Sequence, residues 1–235
     1  MFKDEFQAVC NAGAGKVNLM KKNPLGYFVA ALVAGMFISF GSFVAFTLGQ
    51  VISAGDAAPW TKPVQAFAFA SALSLVVMAG AELFTGNNFV MSAASLRKKV
   101  TCVGIFQLTG IPTAGEGEVA AYFTQVSVGK VGYAPLPLLA RAVFCNILVC
   151  LAVWCGTKLK SESGKLIMIF WCIFVFMVCG FEHSIANMSI EGVALANGGI
   201  TIGQYCYSVL LATVGNMIGA IVFVTLPYHL ISKEK

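Results

Sequence analysis

The chain has 235 residues, of which 58% are hydrophobic and only 11% charged, with a formal net charge of +5 at pH 7. A soluble domain carries about 25% charged residues, so this composition excludes an ordinary water-soluble fold and points to one polytopic membrane domain. The eight cysteines have no Cys-x-x-Cys spacing and mostly lie in apolar runs, which makes them small hydrophobes rather than a disulfide frame or an iron–sulfur site.

In chain order, residues 1–22 form an amphipathic segment, with Phe2, Phe6 and Val9 on one face and Lys3 and Asp4 on the other. It holds Asp4, Glu5, Lys16, Lys21 and Lys22 and no long apolar core, so it is not a cleavable signal peptide. Asn23-Pro24 is the N-cap and first position of a helix, and a first span covers 25–52, where Ala31 and Gly35 offer small-x-x-x-small spacing for a close helix contact. A short polar loop, 53–62, precedes a second apolar run that begins at Pro63. That run breaks at Gly86-Asn87-Asn88, resumes to Leu96 and stops at Arg97-Lys98-Lys99.

The third span is the shortest. Residues 100–112 fall below the roughly 20 that a spanning helix needs, and 119–134 is expected as a re-entrant stretch or an external loop carrying Lys130. The fourth span, 137–157, contains Arg141 and Asn146. The fifth starts at Leu166, breaks at 180–184 and resumes to Ala196. Asn197-Gly198-Gly199 makes a turn, and the sixth span covers 202–230.

Two stretches share one pattern. Gly80-Ala81-Glu82-Leu83-Phe84-Thr85-Gly86-Asn87 and Gly180-Phe181-Glu182-His183-Ser184-Ile185-Ala186-Asn187 both read Gly-x-Glu-x-x-x-x-Asn. Gln107 to Gly110 weakly echoes Gly215-Asn216-Met217-Ile218-Gly219 in the same way. Three spans per repeat is odd, so the halves insert with opposite orientation and meet at a central site. The expected fold is therefore an all-α membrane protein: six transmembrane helices over 23–235, in two inverted three-helix repeats with two broken helices, preceded by a cytoplasmic N-terminal helix, 1–22. Twelve of the 15 lysines and arginines fall near the termini and the even-numbered turns, which places both termini in the cytoplasm.

An ionisable group at bilayer depth is a candidate functional group because its burial costs about 2.5–3.5 kcal/mol or more. Glu82 and Glu182 are either a proton or cation site or, the reading favoured here, acceptors for backbone N–H groups freed at the breaks, with Asn87 and Asn187 closing each repeat. The half-helix N-termini at the breaks would offer N–H donors and positive partial charge to an anion. His183 is either a satisfied core histidine or a donor to a permeating anion that titrates near neutrality. Thr85 and Asn146 are its candidate partners, or else polar glue between helices. Lys16 and Lys130 lie on opposite sides of the membrane, as solvated lysines or as cations that concentrate anions at each mouth.

These two break motifs, with Asn146-Ile147-Leu148-Val149-Cys150-Leu151-Ala152-Val153-Trp154 and Asn23-Pro24-Leu25-Gly26, resemble the formate/nitrite transporter family over nearly the whole chain. The resemblance implies an aquaporin-like protomer in the cell membrane, assembled as a homopentamer with one pore per protomer. It implies passage of small monovalent anions of weak acids (nitrite, hydrosulfide, formate), with no enzymatic activity, cofactor, metal or nucleic-acid partner. Carried over by position, the central histidine is His183, the break threonine Thr85 and the span-four asparagine Asn146. The hydrophobic constrictions fall on Leu83, Phe84, Phe69, Leu73 and Phe176, and the vestibule lysines on Lys16 and Lys130. Thr85-Gly86-Asn87-Asn88 is closer to the nitrite and hydrosulfide branches. An integral-membrane redox protein would need haem ligands, and the only histidines are His183 and His229. An aquaporin-like pore for neutral solutes would carry paired Asn-Pro-Ala motifs, which are absent.

Overall fold

The structure, a computed structural model, describes residue 4 and residues 18–55, 57–78 and 106–232. The N-terminal helix, Lys16 and the first break with Glu82, Leu83, Phe84, Thr85 and Asn87 lie outside these residues.

The described residues form helices and no strands: α1 (Pro24–Ser53), α2 (Thr61–Met78), α3 (Ala114–Val131), α4 (Pro135–Lys158), α5 (Glu162–Val178), α6 (Ser184–Ala196), α7 (Ile202–Ala220) and α8 (Leu226–Ser232). Four helical stretches are long and apolar enough to cross a membrane: Pro24–Ser53, Ala58–Met78, Pro135–Lys158 and Ile202–Tyr228. The starts follow local chemistry. Asn23 accepts a hydrogen bond from the Gly26 N–H at 2.9 Å and Pro24 follows at the first helical position, as expected from the sequence. Thr201 and Gln204 cap α7 reciprocally, a capping box. Gly198, at φ +74°, makes the turn before it. The run of α7 passes through a π turn at Ile221–Thr225 into α8, so the sixth span is continuous through 232.

Two features differ from expectation. Residues 114–131 form an 18-residue helix, not an external loop. It lies antiparallel to α6: Thr124 sits against Gly199, Ser127 donates to the Ile190 carbonyl at 3.4 Å, and Lys130 reaches Glu182. Its other end meets α1 where Gln50 donates to Glu118 at 3.1 Å. The helix thus runs from the end of α1 to the break. The close contact of α1 is also not at Gly35, where a Cβ would meet nothing within 4 Å among the described residues. It is at Gly41, packed on Ala72 of α2, and at Gly49, packed on Gln65.

α6 is the centre of the bundle. Ten of its 13 residues are buried, and it packs on α1, α3 and α7. A helix covered on every side cannot show an amphipathic stripe. Its polar residues find partners in three neighbours: Ser189 with Ser39 of α1 at 2.9 Å, the Ile190 carbonyl with Ser127 of α3, and Glu191 with Ser208 of α7 at 2.6 Å.

In lipid, apolar burial does not drive helix association, so close backbone packing must. The tightest instance is α4 on α7. A Cβ added at Gly219 would run into the Val143 carbonyl oxygen, and one at Gly215 would lie 2.7 Å from that of Leu139. Gly219→Ala should therefore force the two helices apart at a cost of about 1–3 kcal/mol. Gly35→Ala should be neutral or slightly stabilising. Heat-induced loss of the folded species in detergent, followed by size-exclusion chromatography, checks the contrast.

Candidate functional site

The fifth span breaks because its middle cannot continue as a helix. Gly180 sits at φ +69°, a left-handed conformation that glycine adopts without strain, and the Arg141 guanidinium packs against it. Residues 179–183 then run non-helically from α5 to α6. Inside a membrane every freed backbone group needs a protein or water partner.

Backbone carbonyls of α5 and Arg141 take the N–H groups of 179–182, and two side chains of neighbouring helices take the Gly180 and Glu182 carbonyls and the Ser184 N–H. Arg141 of α4 donates from Nη1 to the Gly180 carbonyl at 2.8 Å, while its Cζ lies 4.3 Å from the centre of the Tyr133 ring. Asn216 of α7, fully buried, donates through Nδ2 to the carbonyls of Glu182 (3.0 Å) and Ala142 (2.7 Å), and its Oδ1 accepts from the Ser184 N–H at 3.0 Å. The Asn216 carbonyl in turn accepts from Asn146 Nδ2 at 2.6 Å. Asn146 thus bonds α4 to α7, and the clamp holds α4, the break and α7 as one unit.

His183 caps α6. Its Nδ1 accepts from the Ala186 N–H at 3.2 Å, which requires the Nδ1 lone pair and leaves the proton of the neutral ring on Nε2. The His183 carbonyl accepts from the Asn187 N–H at 2.8 Å. The N–H groups of Ser184, Ala186 and Asn187, expected to offer themselves to an anion, are thus bonded within the protein.

Glu182 does not hold the break through backbone N–H groups. Its Oε2 accepts from Lys130 Nζ and from Asn187 Nδ2, each at 2.7 Å, and Lys130 also reaches Asn187 Oδ1 at 3.2 Å. This closed triangle joins α3 to both sides of the break. Lys130, expected on a re-entrant stretch or an external loop, is a half-buried ion-pair partner here. Glu191, to which the sequence gave no role, is also fully buried. One of its oxygens accepts from Ser208, and the other has no partner among the described residues.

The apolar candidates gather around the imidazole. Phe176 stacks on His183 with centroids 5.7 Å apart, and Phe69 of α2 meets Phe176 edge-on at 5.9 Å. Leu73, one turn further along α2, is buried in the same core. Three separate elements thus bring Phe69, Phe176 and His183 to one point.

A cavity of about 780 Å³ leads to it. Ser53, Pro59, Thr61 and Lys62 line it at the α1–α2 connection; Phe176, Glu182, His183 and Lys130 line it at the break. The lining holds three cations, Lys62, Lys130 and Arg141, and one carboxylate, Glu182, a net charge of +2. Sequence reasoning placed Arg141 and Asn216 in their spans without a role. The Gly-Asn-x-x-Gly pattern of α7 was the signal available for Asn216.

Membrane-length helices around a cation-lined cavity that ends on a broken helix define a multi-pass membrane transport protein. Comparison with known proteins gives the particular kind. The sequence pattern described as formate/nitrite transporter matches residues 3–116 and 101–230. Nitrite transporter NirC of Escherichia coli (strain K12) is 29% identical over 252 residues, covering 97% of this chain and 91% of that one. A probable formate transporter of Methanothermobacter thermautotrophicus is 34% identical over 247 residues, covering 89% and 90%. Among solved structures, one described as an FNT family ion channel superposes with a TM-score of 0.86 at 25% identity, covering 99% of this chain and 100% of that one. A pentameric formate channel with formate bound superposes with a TM-score of 0.74 at 28% identity, covering 90% and 98%. The chain belongs to the formate/nitrite transporter family.

Asn216 carries the clamp, so Asn216→Ala should leave the Glu182 carbonyl and the Ser184 N–H without partners. At about 1–3 kcal/mol for each unsatisfied buried group, the loss is several kcal/mol. Asn216→Asp keeps the acceptor for Ser184 and loses both donors. Both variants should melt well below wild type in detergent, and an Asn216→Ala protein as heat-resistant as wild type would show that the break is held elsewhere.

Proposed function

We propose that the protein passes small monovalent anions of weak acids, with nitrite, hydrosulfide and formate as the substrate class, and that it conducts rather than catalyses. The observation that carries this reading is the cavity: it bears net positive charge and ends on an imidazole stacked on Phe176, which Phe69 backs edge-on. The names of the relatives, a nitrite transporter and a probable formate transporter, support the same class.

The mechanism follows from the cost of charge in a dry slit. A bare anion passing Phe176 and His183 would lose its water in a low-dielectric site, a penalty large enough that such groups neutralise or are paired instead. His183 stands where the anion is furthest from water, and its ring offers an N–H donor on the side opposite its cap. The ion crosses stabilised by that donor, or as the neutral acid after taking up a proton. Leu83, Phe84 and Thr85 of the first break complete the constriction on the other wall, with Leu73 behind Phe69; Lys16 serves the opposite mouth. Glu182 and Asn187, with Glu82 and Asn87 of the first repeat, hold the breaks. Lys130 lends its charge to the floor of the cavity, through Glu182.

The remaining architecture is proposed on the same footing. Six spans in two inverted repeats over 23–235 would follow a cytoplasmic N-terminal helix, 1–22. Both termini would face the cytoplasm of a cell membrane, given the Lys/Arg asymmetry, and the cavity would open outward. The protomers would assemble as a homopentamer, in line with the pentameric formate channel whose fold they share.

The reading is tested by initial flux into proteoliposomes of formate, nitrite, hydrosulfide, lactate and chloride at two pH values. Weak-acid anions should pass at least tenfold faster than chloride, and osmotic swelling in glycerol should be no faster than in protein-free vesicles. Glycerol permeation without anion flux would favour a neutral-solute pore.

A second test concerns His183. Asparagine is itself a good N-cap, so His183→Asn keeps the start of α6 while removing the titratable ring; His183→Phe loses both. The Phe variant should lose most flux. The Asn variant should keep some flux but lose much of the pH dependence between about pH 5 and 8, where histidine titrates. A full wild-type pH profile in His183→Asn would assign the pH response to another group.

A further inference from the structure

We infer that Lys62 is the residue that gathers anions at the mouth of the cavity, a role that the sequence pattern assigned to Lys130. The inference rests on reading this cavity as an anion path.

Among the described residues between 57 and 157 the cations are Lys62, Lys130 and Arg141, and all three line the same cavity. Two of them are already committed. Lys130 is 2.7 Å from Glu182 and also bonds Asn187, so its charge is balanced at the floor. Arg141 donates to the Gly180 carbonyl and lies over Tyr133, so its guanidinium holds the break. Lys62 differs. It is exposed in the first turn of α2, and it makes no hydrogen bond or ion pair among the described residues. The lining around it, Ser53, Pro59, Thr61 and Gln65, includes no carboxylate.

At the floor Glu182 balances Lys130, and the Arg141 guanidinium is held against the Gly180 carbonyl and the Tyr133 ring; at the mouth the Lys62 ammonium has no such partner among the described residues. The field of an exposed charge fades within about 8 Å at physiological ionic strength. Lys62 thus acts on ions entering the cavity and not on the constriction. Its effect is to raise the local concentration of anions and lower that of cations at the rim. A cation at the rim recruits a small monovalent anion and lets it move on.

The experiment reads the field directly. Cys179 is an exposed thiol on the lining of the same cavity. In purified protein, its rate of modification by an anionic methanethiosulfonate (sulfonatoethyl) is compared with that by a cationic one (trimethylammonioethyl), by mass spectrometry of the Cys179 peptide. Any change in thiolate content cancels in the ratio. At about 10 mM salt, Lys62→Gln should lower the anionic-to-cationic ratio several-fold and Lys62→Glu by about the square of that factor. Lys62→Arg should match wild type, and the differences should vanish near 1 M salt. An unchanged ratio in Lys62→Gln and Lys62→Glu, a change that persists at high salt, or a Cys179 that neither reagent reaches would each overturn the assignment. Anion uptake measured alongside separates the two readings. A shifted ratio in a protein that passes no anions would refute the anion path and leave the field in place; flux with an unshifted ratio would refute Lys62 alone.

Discussion

The structure depends on the need to satisfy a broken backbone where water is scarce. Between Gly180 and His183 the chain leaves the helix. The Gly180 and Phe181 N–H groups turn back to carbonyls of α5, while the Gly180 and Glu182 carbonyls and the Ser184 N–H are taken up by Arg141 and Asn216, from helices far away in sequence. The amide of Asn216 is suited to this because it offers donors and an acceptor from one planar group: its nitrogen faces two carbonyls and its oxygen faces one N–H. No apolar residue could occupy that position without leaving buried polar atoms exposed to lipid-like surroundings.

That clamp requires α4 and α7 to approach closely, which explains the glycines. Gly215 flanks Asn216 directly, and Gly219 sits one turn on, with backbone oxygens of α4 where a side chain would begin. Small residues let the helices touch, and the touching helices bring Ala142 and Asn146 within bonding distance of Asn216. Packing and polar satisfaction are thus one device rather than two.

The same device fixes the site. With the break held from the α4–α7 side, Glu182 can reach toward α3 and pair with Lys130, and His183 can cap α6 while its ring stacks on Phe176. The break's own N–H groups are spent on internal bonds. The break therefore turns to the cavity the His183 imidazole with Phe176 stacked on it, rather than free N–H groups.

Much of this was legible from residue order alone. Apolar runs of membrane length, the Asn23-Pro24 start, the turn at 197–199 and the interruption at 180–184 are local properties. They depend on hydropathy, capping and glycine, and neighbouring residues settle them. The paired Gly-x-Glu-x-x-x-x-Asn stretches likewise marked the second break before any geometry was known. What the sequence could not supply was which distant groups meet. The segment at 114–131 contains three glycines, which weaken a helix, and two glutamates, which disfavour a lipid-facing one; α3 is decided by packing on α1 and α6. Lys130 looked like a solvated lysine because its partner lies 52 positions away, and Asn216 looked like a repeat remnant because its four partners come from α4 and the break. Local chemistry determined where helices start, stop and fail. Only the tertiary structure decided which side chains repair the failure, because a buried polar group is satisfied by whatever the fold brings beside it.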